Sequence, residues 1–427
     1  MIPASGPSGK SRVDAGERSV NTARAAWSRS VRRAAVPALA LVTAFLLGAV
    51  LILLTDLEHL ALLGSDPGAA LGGAIGTVIE GYGAILTGAF GDPGRIATAL
   101  QTGNPTDVAR AIRPITETLL SATPFIFVCL GLAVAFHAGL FNLGADGQFQ
   151  VAGFGAAVVA GGLTGLVAPG LALVAGLAAG ALFGAAYGFI PGALRARTGA
   201  HEFLTTLMLN FIAGNIVLLI VSSGWVAVGP GPLPQVPLLL DVPTIRLDYG
   251  LIAALLVAAA SSFLLFRTTL GFELRATGFS RAAARGAGIA PGRSIMIAMS
   301  LSGGLIGLGS AFFLLGPADG MAGPPTYGMG YVALALALIA GLRPLGIVLV
   351  ALLYGALNNG ANAMVIATGI PLTLLIAIIG FALMFVAAPD LIRSIWRIHP
   401  PSAAESTTEG SNARHTGRDG PTMERPP

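Results

Sequence analysis

From residue 34 to residue 388 the chain passes through one apolar run after another, most of them close to twenty residues long and divided by short polar breaks. A hydrocarbon layer about 30 Å thick takes ~20 residues of apolar helix to cross, so this is the pattern of a protein with several membrane spans. Lipid offers no water to backbone N–H and C=O groups, which leaves only helices or a closed barrel. A barrel strand alternates apolar and polar residues, whereas runs such as Leu251 to Ala260 have no polar alternate face. Composition agrees, with 54% hydrophobic and 10% charged residues against roughly 25% charged in soluble domains. The predicted fold class is all-α: a polytopic transmembrane helical bundle.

Ten runs are read as spans: Ala34 to Leu54, Leu119 to Ala138, Gly144 to Leu163, Gly170 to Ile190, Phe203 to Ser223, Gly250 to Phe266, Ser294 to Leu315, Met329 to Gly341, Leu345 to Met364 and Leu372 to Ala388. Residues 1–33 read as a disordered basic tail, and Arg29, Arg32 and Arg33 place it in the cytoplasm by the positive-inside rule. The span 34–54 is too long for the core of a cleaved signal and reads as retained. With about ten spans, Arg195, Arg197, Arg267, Arg275, Arg281, Arg285, Arg293, Arg343, Arg393 and Arg397 all fall inside, and both termini are cytoplasmic.

Residues 55–118 are rich in glycine and punctuated by Asp66-Pro67, Asp92-Pro93 and Asn104-Pro105. They read as a long external loop with a semi-apolar stretch, Gly68 to Phe90, around Glu80. The bundle core then occupies 119–392, and 393–427 is a disordered cytoplasmic tail. The segment Gly224 to Tyr249, with Pro230, Pro232, Pro234, Pro237 and Pro243, cannot be one helix and reads as an external cap. Arg197-Thr198-Gly199 and Ala367-Thr368-Gly369 each follow a Gly/Ala-rich run, and on this topology they lie on opposite sides, as inverted repeats would place them.

The formal charge of +4 comes without the basic stripe and interleaved aromatics that nucleic acid requires. Cys129 is the only cysteine, which excludes an internal disulfide and a cysteine metal cluster. Ala4 to Ser11, ASGPSGKS, matches a phosphate-binding loop in letters only, because no strand precedes it and no helix follows it to aim the backbone amides.

Polar residues within or beside the spans are the candidates for a pathway, because membrane-depth polar groups need partners or water. Phe136 to Gln148, FHAGLFNLGADGQ, offers Asn142, Asp146 and Gln148 among glycines that permit a broken backbone, with a helix cap as the competing reading. His201 to Ile212, HEFLTTLMLNFI, offers Glu202 and Asn210, with Thr206 one turn from Asn210. Asn358, Asn359 and Asn362 make the densest polar group inside any span. Gly271 to Ile289, GFELRATGFSRAAARGAGI, forms a short amphipathic helix in which Leu274, Gly278 and Ala282 share a face. That face suits a docking partner, and Arg275, Arg281 and Arg285 would alternatively hold anionic lipid.

FNLGADGQ, HEFLTTLMLNFI and RATGFSRAAARGAGI, followed by Ser302-Gly303-Gly304, resemble the permease subunits of bacterial ABC importers for nucleosides and simple sugars. These belong to the wider ribose and branched-chain amino-acid permease superfamily, and the resemblance runs from Leu119 to Arg393. It implies a type II ABC importer-like architecture in the cytoplasmic (inner) membrane. The implied partners are a second permease subunit, cytoplasmic ATPase subunits and an extracellular or periplasmic substrate-binding protein. ATP would be bound and hydrolysed by the partner subunits, and the chain itself, no enzyme, would bind no cofactor and no metal. The resemblance makes 271–289 the coupling helix, with Glu273, Arg275, Gly278, Arg281, Ala282, Ala283, Ala284 and Arg285 docking the ATPase, and sets Asn142, Asp146, Glu202 and Asn210 near the substrate path. Asp146 stands where the family usually has Glu, His201 where Asn is frequent, and Ser280 where Asn is common. Nucleosides are the expected substrate and simple sugars the alternative. An ion-coupled secondary transporter would instead need a titratable residue deep in a span, and a membrane enzyme would need paired carboxylates or a histidine cluster.

Overall fold

The computed structural model describes residues 39–223, 233–239, 245, 247–316 and 328–397. The basic tail with its Lys10 loop match, Pro230, Pro232 and Pro243 of the external segment, and the C-terminal tail lie outside the described residues. What is described is almost entirely α-helical, with no strand among the described residues beyond two isolated bridges. Helix α1 covers Leu39–Thr55. There follow α2 (Leu57–Ala61), a 3-10 turn, α3 (Pro67–Phe90), α4 (Pro93–Thr102), α5 (Pro105–His137), α6 (Ala145–Leu163), α7 (Pro169–Thr198) and α8 (Glu202–Ser223). The remainder are α9 (Gly250–Arg267), α10 (Thr269–Phe279), α11 (Arg281–Gly286), α12 (Pro291–Leu315), α13 (Met329–Ile339), α14 (Pro344–Thr368), α15 (Leu372–Ala387) and α16 (Pro389–Ile395).

Among the described residues seven helices, α3, α5, α7, α8, α9, α12 and α14, are long and apolar enough to cross a membrane, and α15 with α16 makes an eighth if their 93° bend lies within one span. The expected count of about ten is therefore met only approximately. Helix α6 is less apolar because Asp146, Gln148 and Gln150 occupy its first two turns. The run Met329 to Gly341, read as a full span, contains a helix of 11 residues. At 1.5 Å per residue it is ~16 Å long, about half the hydrocarbon thickness.

The stretch 55–118, read as a loop, is helical for most of its length. The dipeptides that suggested turns are helix starts. Asp66 accepts from Ala69 N at 3.0 Å, Asp92 from Gly94 N at 2.8 Å and Asn104 from Thr106 N at 3.1 Å, each just before a proline in the first helical position. Proline is suited to that position, because its missing N–H is one of the four a helix start leaves unpaired, and Asp or Asn supplies the cap. Helix α3 lies along α14, with Gly88 against Gly360 and Ala363 and Gly81 against Met364.

The chain divides into two compact units. In the smaller, Met1–Gly48 with Gly380–Pro427, Trp396 Nε1 donates to Thr43 Oγ1 at 2.9 Å and Arg393 pairs with Asp390 at 2.8 Å. The larger, Ala49–Ile379, is organised around α5, which is buried without interruption from Ala122 to Ala135. Beside it α7 and α12 pack backbone to backbone: Gly184 touches Gly303, Gly180 touches Gly307, and Gly188 touches Met299. Lipid does not drive helices together by hydrophobicity, so small residues that allow this close approach carry the packing.

The described part of the external segment is tied down by Val236 N to Leu315 O at 2.6 Å and Leu239 N to Leu247 O at 2.7 Å. The two recurring tripeptides prove to be one local device used twice. Gly199 and Gly369 are left-handed helix C-caps, at φ 72° and 69°, and Thr198 and Thr368 each bond the carbonyl four residues back. Helix termination accounts for the recurrence without an inverted repeat.

Candidate functional site

Four of the residues singled out from sequence, Asn142, Asp146, Gln148 and Asn210, come together in one buried node. Helix α5 ends at His137, Gly139 turns the chain at φ 69°, and residues 140–144 lead to α6. Asn142, with no exposed surface, donates to Gln148 Oε1 and to Ser302 Oγ of α12, both at 3.0 Å, and accepts from Gly144 N. From α8, Asn210 accepts from Gly147 N at 2.9 Å and donates to Leu143 O at 2.7 Å and to the Tyr331 hydroxyl at 3.0 Å. One turn earlier Thr206 accepts from Leu143 N at 3.2 Å.

Asp146, 3% exposed, joins two helices. It lies in the first turn of α6, and its Oδ1 accepts from Gly328 N at 2.9 Å and Gly330 N at 3.2 Å at the start of α13, while Oδ2 accepts from Gln150 at 3.2 Å. Helix N-termini carry unpaired N–H groups and the positive end of the dipole, so the carboxylate pairs the amides at the start of α13 while Asn210 takes the Gly147 amide at the start of α6. The node is deep. Asn210 is eight residues into α8 and Ser302 eleven into α12, which at 1.5 Å per residue is ~12 and ~16 Å from those helix ends. Helices α6 and α13 thus both begin inside the bundle, well in from the starts of α8 and α12, rather than at its rim. Within the node the Asn142 and Asn210 amides and the Asp146 carboxylate are all engaged, so it acts as a scaffold, with the 42%-exposed Tyr331 at its open edge.

The remaining pathway candidates do not join it. Glu202, at the start of α8, pairs with Arg195 of α7, Oε2 to Nε at 3.0 Å, while Arg195 Nη1 donates to Gly199 O and Ala200 O. This pair clamps the α7–α8 turn. Asn359 ties α14 to α3 and α5 by donating to Gly88 O at 2.7 Å and Pro114 O at 3.0 Å. Asn362 is exposed and, among the described residues, reaches only Asn358, at 3.5 Å. Asn359→Leu is therefore expected to destabilise the chain by about 1 kcal/mol, two interhelical bonds at the ~0.6 kcal/mol average for membranes, whereas Asn362→Leu stays within about 0.5 kcal/mol. Thermal unfolding midpoints of the two variants in detergent check this, and equal shifts would contradict it.

The 271–289 segment is two helices, not one. Ser280 breaks it and caps the second, accepting from Ala283 N at 3.3 Å. Consequently Leu274, buried, and Gly278, half-buried, share an inward face while Ala282, expected beside them, is exposed. That face docks on the chain's own bundle. Leu274 sits among Val134, Ala138, Leu140, Leu265 and Met299, and a Cβ at Gly278 would stand 2.7 Å from Gly139 N and against the His137 carbonyl. Arg275 lies 5.3 Å over the Phe266 ring, and Glu273 and Arg281 are half-buried. Ala284 is buried, but Ala283 and Arg285 are exposed, as are Phe272 at 59% and Phe279 at 95%. Phe279 had no prominence in the sequence. Nor did Gln150, Tyr331 or the Arg195 partner of Glu202, although a cation seven residues before a carboxylate across a Thr-Gly helix stop is a signal of such a pair.

A family model described as branched-chain amino acid transport system / permease component matches residues 115–388. The guanosine ABC transporter permease protein NupP of Bacillus subtilis is 33% identical over 328 residues, 75% of this chain and 88% of that protein. The nucleoside ABC transporter permease protein NupB of Lactococcus lactis is 28% identical over 383 residues, 86% of this chain and 93% of its own length. A glucose ABC transporter permease of Haloferax volcanii is 26% identical over 300 residues, 65% of this chain and 77% of that one. No solved structure matches the chain.

Proposed function

We infer the function from one premise: the chain belongs to the family of branched-chain amino acid transport system permease components. It is the multi-pass membrane permease subunit of an ABC importer, and its substrate is a nucleoside. The observation that carries the substrate is the near full-length similarity to a guanosine permease and a nucleoside permease, over 88% and 93% of those proteins. Simple sugars are the second reading, favoured by the glucose permease among the relatives.

In this reading α10 and α11 form the cytoplasmic coupling element, with Phe279 as the anchor that enters a groove on an ATPase subunit. Large aromatic side chains in well-packed pockets dominate such interfaces. The ATPase hydrolyses ATP, a second permease completes the pathway, and a binding protein outside delivers substrate. The domain limits follow, with 119–392 as the permease core and the helices of 55–118 as an addition to it. The carboxylate of Asp146 is held by three hydrogen bonds, in keeping with a structural link between α6 and α13.

Uptake of radiolabelled guanosine by cells carrying the chain with its partner subunits tests the substrate. Deletion of the gene should abolish uptake, unlabelled nucleosides should compete, and glucose or ribose should not. Sugar competition with no nucleoside competition would replace the nucleoside reading by the sugar reading.

A further inference from the structure

An open trench of about 720 Å³ runs between α7 and α12 along the flank of their packed glycines, and its lining is apolar except for Arg293 and Ser300. Its floor is made of small residues, since a Cβ at Gly304 would meet the Ala185 Cβ at 3.5 Å, and larger side chains such as Phe189 and Leu301 flank it. From Arg293 to Leu308 it follows α12 for fifteen residues, ~22 Å at 1.5 Å per residue. One leaflet of a ~30 Å hydrocarbon core is about 15 Å deep, so an acyl chain entering at the Arg293 end has room to lie at full length.

Charge stands at one end of the trench only. A Cβ at Gly292 would stand 3.7 Å from the Ala196 Cβ, so the end of α7 and the start of α12 are side by side, and both carry an exposed arginine there, Arg197 and Arg293. Neither has a carboxylate partner among the described residues. Of the two, Arg293 lines the trench and Arg197 is exposed on the adjoining last turn of α7. A guanidinium at the end of an apolar trench matches a phosphate headgroup with its acyl chain, and guanidinium binds phosphate oxygens in a bidentate fork. A helix from a second copy would gain the apolar contact and leave both cations unanswered.

We propose that the α7–α12 trench is a binding site for an anionic phospholipid, with the headgroup phosphate held by Arg197 and Arg293 and one acyl chain lying along Gly304. The proposal rests on the membrane location of the chain and not on its substrate. Juxtamembrane basic residues attract anionic lipid by about 1 kcal/mol each, so two such charges correspond to roughly thirtyfold in affinity.

The test uses the full chain in phosphatidylcholine vesicles that contain a photoreactive phosphatidylglycerol with a diazirine at the acyl-chain end, or phosphatidylcholine with the same chain. The phosphatidylglycerol probe is expected to label trench residues of α7 and α12 well above the phosphatidylcholine probe. The double variant Arg197→Gln/Arg293→Gln should lower that labelling by roughly thirtyfold, and Gly304→Leu should displace the chain with both arginines intact. Equal labelling by the two probes, or by wild type and the double variant, overturns the proposal, as does a Ser300→Cys disulfide between two copies that excludes the lipid. An unlabelled trench with label elsewhere on the helices rejects this site alone, whereas absence of label from every helix would reject the membrane location.

Discussion

Replacing Gly278 with leucine is expected to abolish transport while leaving the chain inserted in the membrane. Any Cβ at this position meets the His137 carbonyl and the Gly139 backbone, which are main-chain atoms at a helix end and cannot rotate aside. Overpacking costs typically ~1–3 kcal/mol even against side chains, so α10 must lift from the α5–α6 turn. Phe279→Ser acts on the other side of the element. It leaves the bundle contact intact and removes a side chain that is 95% exposed, and a lost aromatic anchor of about 2–4 kcal/mol should weaken ATPase capture by roughly 30-fold to 1,000-fold. Uptake and co-purification of the ATPase, measured on both variants, check the division. Normal transport by Gly278→Leu, or undiminished capture by Phe279→Ser, would contradict the assignment of the two faces.

The second large effect belongs to Asp146. Asp146→Leu keeps the branched shape of the side chain, with larger methyl ends, but removes the acceptor from the Gly328 and Gly330 amides and from Gln150. A buried donor left unsatisfied costs ~1–3 kcal/mol, so the two amides alone correspond to about 2–6 kcal/mol, and the start of α13 should come loose from α6. Asp146→Asn retains one carbonyl oxygen for the amides and should keep a substantial part of both the thermal stability and the uptake that the leucine variant loses. If leucine is tolerated as well as asparagine, the carboxylate does not hold the two helix starts together.

Much of this was legible in the sequence. Six of the seven span-length helices among the described residues, α5, α7, α8, α9, α12 and α14, follow from run length alone, because lipid imposes one rule on every backbone group, whereas α3 lies in a stretch that reads as a loop and α13 in a run that reads as a full span. The node residues were legible too, since Asn142, Asp146, Gln148 and Asn210 are conspicuous as polar side chains in apolar surroundings. Their depth and saturation were not, because both depend on where Ser302, Tyr331 and Gly330 arrive from distant parts of the chain. Asp66, Asp92 and Asn104 show the opposite failure: an Asp-Pro or Asn-Pro pair marks a turn and a helix start alike, and only the hydrogen bond to the amide two or three residues on tells them apart. Helical periodicity likewise aligned Leu274, Gly278 and Ala282 on one face, but the Ser280 cap resets the phase between the second and the third.

Reconstitution tests directly whether this chain is the permease of an ATP-driven nucleoside importer. The full chain with its second permease and ATPase subunits is placed in proteoliposomes, with the binding protein and labelled guanosine on the face that binds it and ATP on the ATPase face. Accumulation that requires hydrolysable ATP and persists when sodium and proton gradients are collapsed is the predicted result. Accumulation driven by an ion gradient without the ATPase subunits would contradict it.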